Sequence, residues 1–178
     1  MQSTDSVWSR VNPNQPAAMA SGEPHRLADA AATRALGMTL AKRLLANPQQ
    51  PAILLLQGDL GAGKTCLVQG LAAGLGIDEP ITSPTFALAQ HYEGQRPGGR
   101  PTALVHLDLY RLEQASAADE LFAQEEEEAA ALGAVLAMEW PERLSQQPGR
   151  AWRVHLEVVD FIDPDAGRIA HVTGWHLN

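Results

Sequence analysis

A glycine-rich loop of eight residues constrains the fold of this chain more than any other feature. It fits the pattern G-x-x-x-x-G-K-[ST] at every fixed position and consists of Gly58, Asp59, Leu60, Gly61, Ala62, Gly63, Lys64 and Thr65. A short apolar run at 53–56 precedes it, which is typical of a buried strand. Residues 64–75 carry apolar side chains at helical spacing, and Gly76 is placed to end that helix. A strand, a glycine-rich loop and a helix in this order predict a P-loop.

The chemistry of a P-loop follows from its backbone. The glycines let the chain curl so that N–H groups face a phosphate, and the N-terminus of the following helix adds a partial positive charge. We expect Lys64 to bridge the β- and γ-phosphates and the Thr65 hydroxyl to ligate magnesium. Cys66 is the next residue of this helix and completes the predicted nucleotide-binding set. A glycine-rich turn that carries Lys-Thr by chance is the structural alternative, and the flanking strand and helix argue against it.

The rest of the chain predicts a mixed sheet. Periodicity and turn signals predict a helix at 28–46, a hairpin of strands at 86–92 and 103–109, a helix at 116–133, a strand at 134–138 and a terminal hairpin at 152–162 and 168–177. Ser116, followed three residues later by Asp119, is the start signal of the second of these helices. We expect its acidic run, 125–128, to be a solvated face. The predicted fold class is α/β, a single P-loop NTPase-like domain with a mixed, partly antiparallel sheet flanked by helices.

Composition limits the domain organisation and the partners. Residues 1–24 are poor in large apolar side chains and are predicted to be a disordered tail, with Met19 as a candidate start codon, whereas 25–178 form the predicted domain. The chain has 13 basic and 21 acidic residues and a net charge of -8, so strong direct binding to nucleic acid is not expected. A protein partner with a basic face fits that charge.

Cysteine and hydropathy bear on location. Cys66 is the one cysteine, which rules out an internal disulfide and gives a redox role little support. No apolar run approaches the roughly 20 residues that span a bilayer, and the N-terminus lacks the apolar stretch of a signal peptide. We therefore expect a soluble cytoplasmic protein with no membrane association.

Two strand-end carboxylates are candidates for a magnesium site. Asp108 follows the apolar run 104–107, and Glu139 follows 135–138. A P-loop needs such a carboxylate beside its threonine, but composition does not choose between the two. Thr85, in the stretch 83–86, stands where switch-like loops place a threonine near the γ-phosphate, although a turn at the start of a strand is the simpler interpretation. His106, on the same strand face as Asp108, is expected to be a satisfied structural residue.

Taken together, these motifs resemble the TsaE (YjeE) family, bacterial ATPases that support formation of threonylcarbamoyladenosine at position 37 of tRNAs reading ANN codons. The matching stretches cover most of the chain between 25 and 175 and are 33–37, 58–65, 83–86, 106–111 and 139–142. The resemblance implies ATP and magnesium as ligands. The chain departs from the family pattern at two points: Cys66 stands where threonine is common, and the acidic helix around Glu125 is longer than expected.

The resemblance assigns roles to individual residues. It implies that Thr65 and Glu139 coordinate magnesium and that Asp108 lies beside the γ-phosphate, either activating water or linked to the metal. Thr85 would belong to a switch-like loop and, with Lys64 and Asp108, to the catalytic set. It further implies that Trp140 lies near the nucleotide, with a core aromatic as the structural alternative, and that Thr33 lies near the base.

The resemblance also implies a partner, the TsaB–TsaD complex, on which slow ATP hydrolysis would act. On charge alone, we expect the acidic helix to be the docking surface. A GTPase is disfavoured because neither lysine, Lys42 or Lys64, is followed two residues later by the aspartate of a guanine-binding motif. A small-molecule kinase is disfavoured by the lack of an arginine-rich lid. A nucleotide-sensing docking module with little hydrolysis stays open as an alternative.

Overall fold

The chain is described by a computed structural model at residues 24–46 and 52–174. The predicted tail at 1–23, the predicted helix stop at 47–48 and the last four residues lie outside this part of the chain. The strands are β1 (Pro24–Leu27), β2 (Ala52–Gln57), β3 (Ala89–Arg96), β4 (Arg100–Asp108), β5 (Val135–Glu139), β6 (Trp152–Val158) and β7 (Arg168–Thr173). The helices are α1 (Ala30–Ala46), α2 (Lys64–Leu75) and α3 (Ala115–Leu132), with 3₁₀ turns at Pro141–Arg143 and Pro164–Ala166.

The seven strands form one mixed sheet in the order β1-β7-β6-β2-β5-β4-β3. The four central strands, β6, β2, β5 and β4, are parallel to one another, whereas β3, β7 and β1 pair antiparallel with their neighbours. This confirms the predicted α/β fold class with a mixed sheet. β2 and β5 are buried along almost their whole length, as expected for central strands covered on both faces.

Helices cover both faces of the central strands. α1 and α2 pack on one face with Leu54, Leu56 and Leu104, and α3 packs on the other with Leu55 and Leu107. α1 and α2 approach each other closely through glycines. A Cβ atom on Gly70 would clash with the carbonyl oxygen of Arg34, so this helix contact requires glycine.

The P-loop unit has the predicted bounds. α2 begins at Lys64, and Gly76 ends it in the left-handed conformation with φ 74°, donating its N–H to carbonyls of the last turn. The first predicted hairpin is also present, but its first strand is misplaced. β3 begins at Ala89, and Phe86 is 85% exposed in the loop before it. Leu88 has φ 67°, which interrupts the extended backbone and delays the start of the strand.

α3 differs from its prediction at both its start and its acidic run. Ser116 and Asp119 do not form the predicted cap, because Gln114 is the N-cap residue without a side-chain bond and Asp119 accepts from the Ser145 N–H instead. Glu125 is buried, so the run is not wholly a solvated face. Its Oε2 lies 2.6 Å from His91 Nε2 on β3, and the other imidazole nitrogen lies 3.4 Å from a Glu128 carboxylate oxygen.

The terminal hairpin is shorter than predicted, because β6 ends at Val158 and β7 begins at Arg168. The predicted strand residues Phe161 and Ile162 are exposed in the connection between β6 and β7. β1 pairs with β7 and was not predicted from the sequence, because four residues are too few to show the alternation that marks a strand. Pro24, assigned to the tail by composition, is its first residue. None of the described helices is long and apolar enough to cross a membrane.

Candidate functional site

The candidate site lies where the central parallel strands end. Asp108 and Glu139 are register partners at the ends of β4 and β5, and Glu139 is also the partner of Leu56 on β2. The glycine-rich loop leaves β2 one residue later and enters α2. Parallel pairing therefore brings together the loop and both predicted strand-end carboxylates, the edge at which open α/β sheets bind ligands.

Three glycines give the loop its shape. Gly58, Gly61 and Gly63 have φ angles of 137°, 80° and 102°, a region that side chains with a Cβ rarely enter. A Cβ on Gly61 would meet no atom within 4 Å, so that position requires glycine for its backbone angle alone. Gly63 stands at the N-cap of α2, which directs the free N–H groups of the first turn toward the loop.

Lys64 is only 4% exposed, and its ammonium group is held inside the loop. Its Nζ donates to the carbonyl oxygens of Gly58 at 2.6 Å and Asp59 at 2.9 Å, and it lies 4.0 Å from the centroid of the Trp140 ring. Burial lowers the pKa of Lys64, although nearby carboxylates oppose that shift, namely those of Glu139, Glu142, Asp108 and Asp59. A phosphate that replaced the two carbonyls would give this poorly solvated cation a full counter-charge.

Thr65 and Glu139 link the loop to β5. Thr65 Oγ1 donates to Glu139 Oε1 at 2.9 Å. Glu139 Oε1 also lies 2.9 Å from Nε2 of His106 on β4. Glu139 is 3% exposed, and His106 is completely buried. The carboxylate oxygen Oε1 thus accepts both hydrogen bonds found for this side chain.

Asp108 binds the loop that precedes β3. Its Oδ2 accepts from Ser83 Oγ at 3.1 Å and from the Thr85 hydroxyl, and its Oδ1 accepts from the Tyr110 N–H at 2.9 Å. The two hydroxyl oxygens lie 2.6 Å apart. The sequence predicted separate roles for Thr85 and Asp108, and the structure brings their side chains into direct contact.

Two cavities meet at Gly63 and Cys66. One has a volume of about 340 Å³ and is lined by the predicted phosphate and metal residues, among them Leu60, Gly61, Gly63, Lys64, Thr65, Cys66, Thr85, Asp108, Glu139 and Trp140. The other, of about 470 Å³, is lined by Thr33, Ala62, Gly63, Cys66 and residues near Arg168. Thr33 therefore lines a different cavity from Asp108 and Glu139. Gly58 and Asp59 line a third cavity together with Trp140.

The donor set of the cavity of about 340 Å³ suits magnesium. The Thr65 hydroxyl and the carboxylates of Glu139 and Asp108 are hard oxygen ligands of the type that Mg²⁺ prefers. In this structure Thr65 is linked to Glu139, whereas Asp108 holds the loop residues Ser83 and Thr85. The two carboxylates that composition left equivalent thus have different partners.

Sequence reasoning gave neither His106 nor Arg168 a role in this region. It predicts His106 to be a satisfied structural residue, but only Nε2 is bonded, to Glu139, and the buried Nδ1 has no hydrogen-bond partner among the described residues. Arg168 donates from Nε to the Ala62 carbonyl at 3.2 Å and from Nη2 to the Gly61 carbonyl at 3.3 Å, so β7 supports the loop from more than 100 residues away. No local pattern marks such a contact.

Trp140 has a backbone φ of 62°, and its ring lies over the Lys64 ammonium. The centroid of the Trp140 ring is 5.0 Å from that of the Tyr110 ring.

Comparison with known proteins gives one consistent family. Residues 27–162 match the sequence model of a family described as threonylcarbamoyl adenosine biosynthesis protein TsaE. A protein of Nostoc sp. named tRNA threonylcarbamoyladenosine biosynthesis protein TsaE is 41% identical over 148 residues, 83% of either chain. Its namesake in Synechocystis sp. is 46% identical over 127 residues, covering 70% of this chain and 73% of its own.

More distant similarity extends the comparison. The TsaE protein of Mycobacterium tuberculosis is 36% identical over 151 residues, 84% of each chain. Among solved structures, YdiB of Bacillus subtilis superposes with a TM-score of 0.59 at 24% identity and covers 86% of both chains. At that identity, the superposition shows that the two proteins share a fold.

Proposed function

Because this chain belongs to the TsaE family of threonylcarbamoyl adenosine biosynthesis proteins, we propose that it is an ATPase in that biosynthesis. It binds ATP with magnesium, hydrolyses it slowly, and so supports the TsaB–TsaD complex that forms threonylcarbamoyladenosine on tRNA. The observation that carries the proposal is the contact between Thr65 Oγ1 and Glu139 Oε1, which joins a P-loop hydroxyl to a strand-end carboxylate beside a cavity of about 340 Å³.

The loop residues bind the triphosphate. Backbone N–H groups of residues 58–65 and the N-terminus of α2 surround the β-phosphate, and the Lys64 ammonium leaves the carbonyls of Gly58 and Asp59 for the β- and γ-phosphates. Little movement is needed, because the ammonium group is already inside the loop. The exchange gives a buried cation a charged partner in place of two neutral carbonyls.

The Thr65 hydroxyl and Glu139 are the residues that would hold magnesium, with Asp108 beside them in the same cavity. When bound, the metal neutralises charge that develops on the phosphate oxygens. Asp108 binds the Ser83 and Thr85 hydroxyls beside the cavity, which supports a role for the loop before β3 in orienting the attacking water. Hydrolysis itself is attack of that water on the γ-phosphorus, with the bond to the β-phosphate oxygen breaking.

The larger cavity, with Thr33 and Cys66 on its wall, is the site we assign to the base. It adjoins the phosphate cavity at Gly63, as the two ends of one nucleotide require. Its lining is mainly apolar, which suits a purine ring. Arg168 lies on its rim and holds the loop backbone there.

The partner surface is less acidic than composition indicated. Glu125 is buried against His91, so it is not available to a partner, and Glu127 and Glu128 are the exposed members of the acidic run. We retain α3 as the proposed surface for the TsaB–TsaD complex, with only these exposed glutamates as contacts. If charge reversal at both glutamates left capture of the TsaB–TsaD complex unchanged, that result would contradict this assignment.

The test is phosphate release from ATP, measured for the protein alone and with TsaB–TsaD. Lys64→Ala, Asp108→Ala and Glu139→Ala are each expected to reduce release at least about 100-fold, because each removes a group at the reacting phosphates. The matched control Asp78→Ala removes an exposed carboxylate outside the site and outside α3, and it should leave release unchanged.

Two other outcomes would identify the alternatives. Stoichiometric transfer of the γ-phosphate to a metabolite, in place of phosphate release, would show a small-molecule kinase. Docking that requires ATP, together with release that survives the loss of Asp108, would show a nucleotide-sensing module.

A further inference from the structure

His106 is a completely buried imidazole that the chemistry described above does not use. It lies on β4 two residues before Asp108, on the sheet face that carries Leu104 and the P-loop helix. Its Nε2 lies 2.9 Å from Glu139 Oε1. Its Nδ1 is buried and has no hydrogen-bond partner among the described residues.

The hydrogen bond to Glu139 determines which nitrogen carries a proton. A carboxylate oxygen can only accept, so Nε2 must be the donor, and in the neutral imidazole Nδ1 is then an unprotonated acceptor. A buried acceptor without a partner is unfavourable, and an apolar side chain of similar size would avoid that penalty. Packing alone therefore does not account for a histidine at this position, whereas donation to Glu139 does.

The same contact fixes the orientation of the carboxylate. Oε1 accepts from both Thr65 and His106, which leaves Oε2 as the oxygen without a partner in the described part of the chain. If the Thr65 hydroxyl were to ligate a metal ion, its bond to Oε1 would weaken, and the His106 N–H would then be the one hydrogen bond that the described residues still donate to the Glu139 carboxylate. Donors behind a metal-binding carboxylate orient it and commonly change metal affinity by 10–100-fold.

We infer that His106 is a positioning residue for the magnesium site, which acts by holding Glu139 Oε1 through its Nε2–H. The inference rests on the proposed binding of magnesium and nucleotide. It assigns His106 no contact with nucleotide or metal. Removal of the imidazole should therefore raise the Mg²⁺ concentration that nucleotide binding requires and leave nucleotide binding without metal unchanged.

The experiment measures binding of a fluorescent ADP analogue by the full chain while MgCl₂ is titrated from zero in the presence of a chelator. His106→Leu removes the donor and should raise the half-saturating Mg²⁺ concentration roughly 10–100-fold. His106→Gln places an amide N–H at about the reach of Nε2 and should restore most of that loss. His106→Asn is too short to reach Glu139 and should behave like the leucine variant.

The three variants separate positioning from structure. Thermal melts without ligand control for folding, and if the leucine variant does not fold, the comparison of Gln with Asn decides, since both are polar amides. Mn²⁺ in place of Mg²⁺, followed by electron paramagnetic resonance, reports the metal directly and should show the same order of affinities. Equal Mg²⁺ dependence in His106→Gln and His106→Asn, or no shift in His106→Leu, would overturn the inference.

Failure of the proposed function has a different result. If the unmodified chain binds the ADP analogue with no effect of Mg²⁺, or does not bind it, the magnesium-nucleotide proposal fails and the inference fails with it. If Mg²⁺ strengthens binding of the ADP analogue equally for the unmodified chain and every variant, the magnesium-nucleotide proposal stands, whereas the inference that His106 is a positioning residue fails.

Discussion

Lys64 Nζ lies 4.0 Å from the centroid of the Trp140 ring, so the cation of the P-loop is in cation–π contact with the residue that follows Glu139. This contact joins the loop to the end of β5 independently of the bond between Thr65 and Glu139. It also gives the site an optical reporter, because indole emission responds to a neighbouring charge.

Nucleotide binding should change the fluorescence of Trp140. Binding of phosphate to the Lys64 ammonium alters the electric field at the indole, so adding ADP or ATP with Mg²⁺ is expected to change the emission of Trp140. Trp140→Phe should abolish the change. Trp152→Phe, which removes an indole that lies near Arg43, should retain it. A response that persists in Trp140→Phe would contradict the proposed movement of Lys64.

The lowered pKa of Lys64 predicts a pH dependence of stability. Burial lowers the pKa of this lysine from the ordinary 10.5, whereas the unfolded chain keeps the ordinary value. Between these two values the unfolded state binds more protons, so the free energy of unfolding rises with pH. The penalty for burying the charge is fully present below the lowered pKa and disappears as pH passes 10.5.

Urea denaturation between about pH 7 and pH 10, without nucleotide, tests this sign. Lys64→Met keeps the chain length of the side chain and removes the titrating group. The stability of the unmodified chain relative to Lys64→Met should therefore increase as pH rises. A difference that is constant or decreases would show that burial does not dominate the charge balance of Lys64.

Local pattern was enough for the P-loop unit and insufficient for its surroundings. The glycine spacing, the apolar run and the helical period all act within one short stretch of chain, so β2, the loop and α2 could be predicted with their bounds. The positions of Asp108 and Glu139 at strand ends could be predicted for the same reason. Their distinct partners could not, because hydrogen bonds to Thr65 and Thr85 depend on how distant strands pair.

The errors have the same origin. The run of four glutamates gives no local sign that one of them meets His91 on another strand, so burial of Glu125 could not be predicted. The capping pattern at Ser116 and Asp119 is a local preference that a tertiary contact, from Asp119 to the Ser145 N–H, overrides. Arg168 supports the loop from the far end of the chain, where only strand alternation is visible.

The contacts of Asp108 predict that it orders the loop before β3. Asp108→Ala removes the acceptor of both the Ser83 and Thr85 hydroxyls, so amide hydrogen exchange across residues 83–88 should accelerate about tenfold or more, corresponding to roughly 1.4 kcal/mol of lost local stability. Asp78→Ala is the matched control and should leave exchange in this segment unchanged. The Leu88 N–H also donates to the Pro84 carbonyl, and the Leu88 carbonyl accepts from the Asp108 N–H. Unaltered exchange in Asp108→Ala would show that these backbone bonds suffice to hold the loop.

The contact between α1 and α2 predicts a strong preference for glycine at position 70. Gly70→Ala places a methyl group against the Arg34 carbonyl oxygen, which is backbone and cannot move without displacing α1. We expect a loss of at least about 2 kcal/mol in the free energy of unfolding. Gly149→Ala is the control, because a Cβ there meets no atom within 4 Å, and its effect should stay within about 1 kcal/mol. Chemical denaturation of both variants gives the comparison, and equal stabilities would contradict the close approach of the two helices at Gly70.

The pair of His91 and Glu125 predicts that α3 is attached to β3 by a polar contact in which the glutamate is buried and the histidine is partly exposed. His91→Ala leaves the Glu125 carboxylate buried without its 2.6 Å partner, and the expected loss is about 2 kcal/mol. Replacing both residues, as His91→Leu with Glu125→Leu, removes the unpaired charge and should recover most of that stability. Glu127→Gln, an exposed neighbour, is the control and should change stability by less than about 0.5 kcal/mol. The free energy of unfolding of all three variants measures the effect. If His91→Ala is no less stable than Glu127→Gln, the buried Glu125 carboxylate does not depend on His91 for stability.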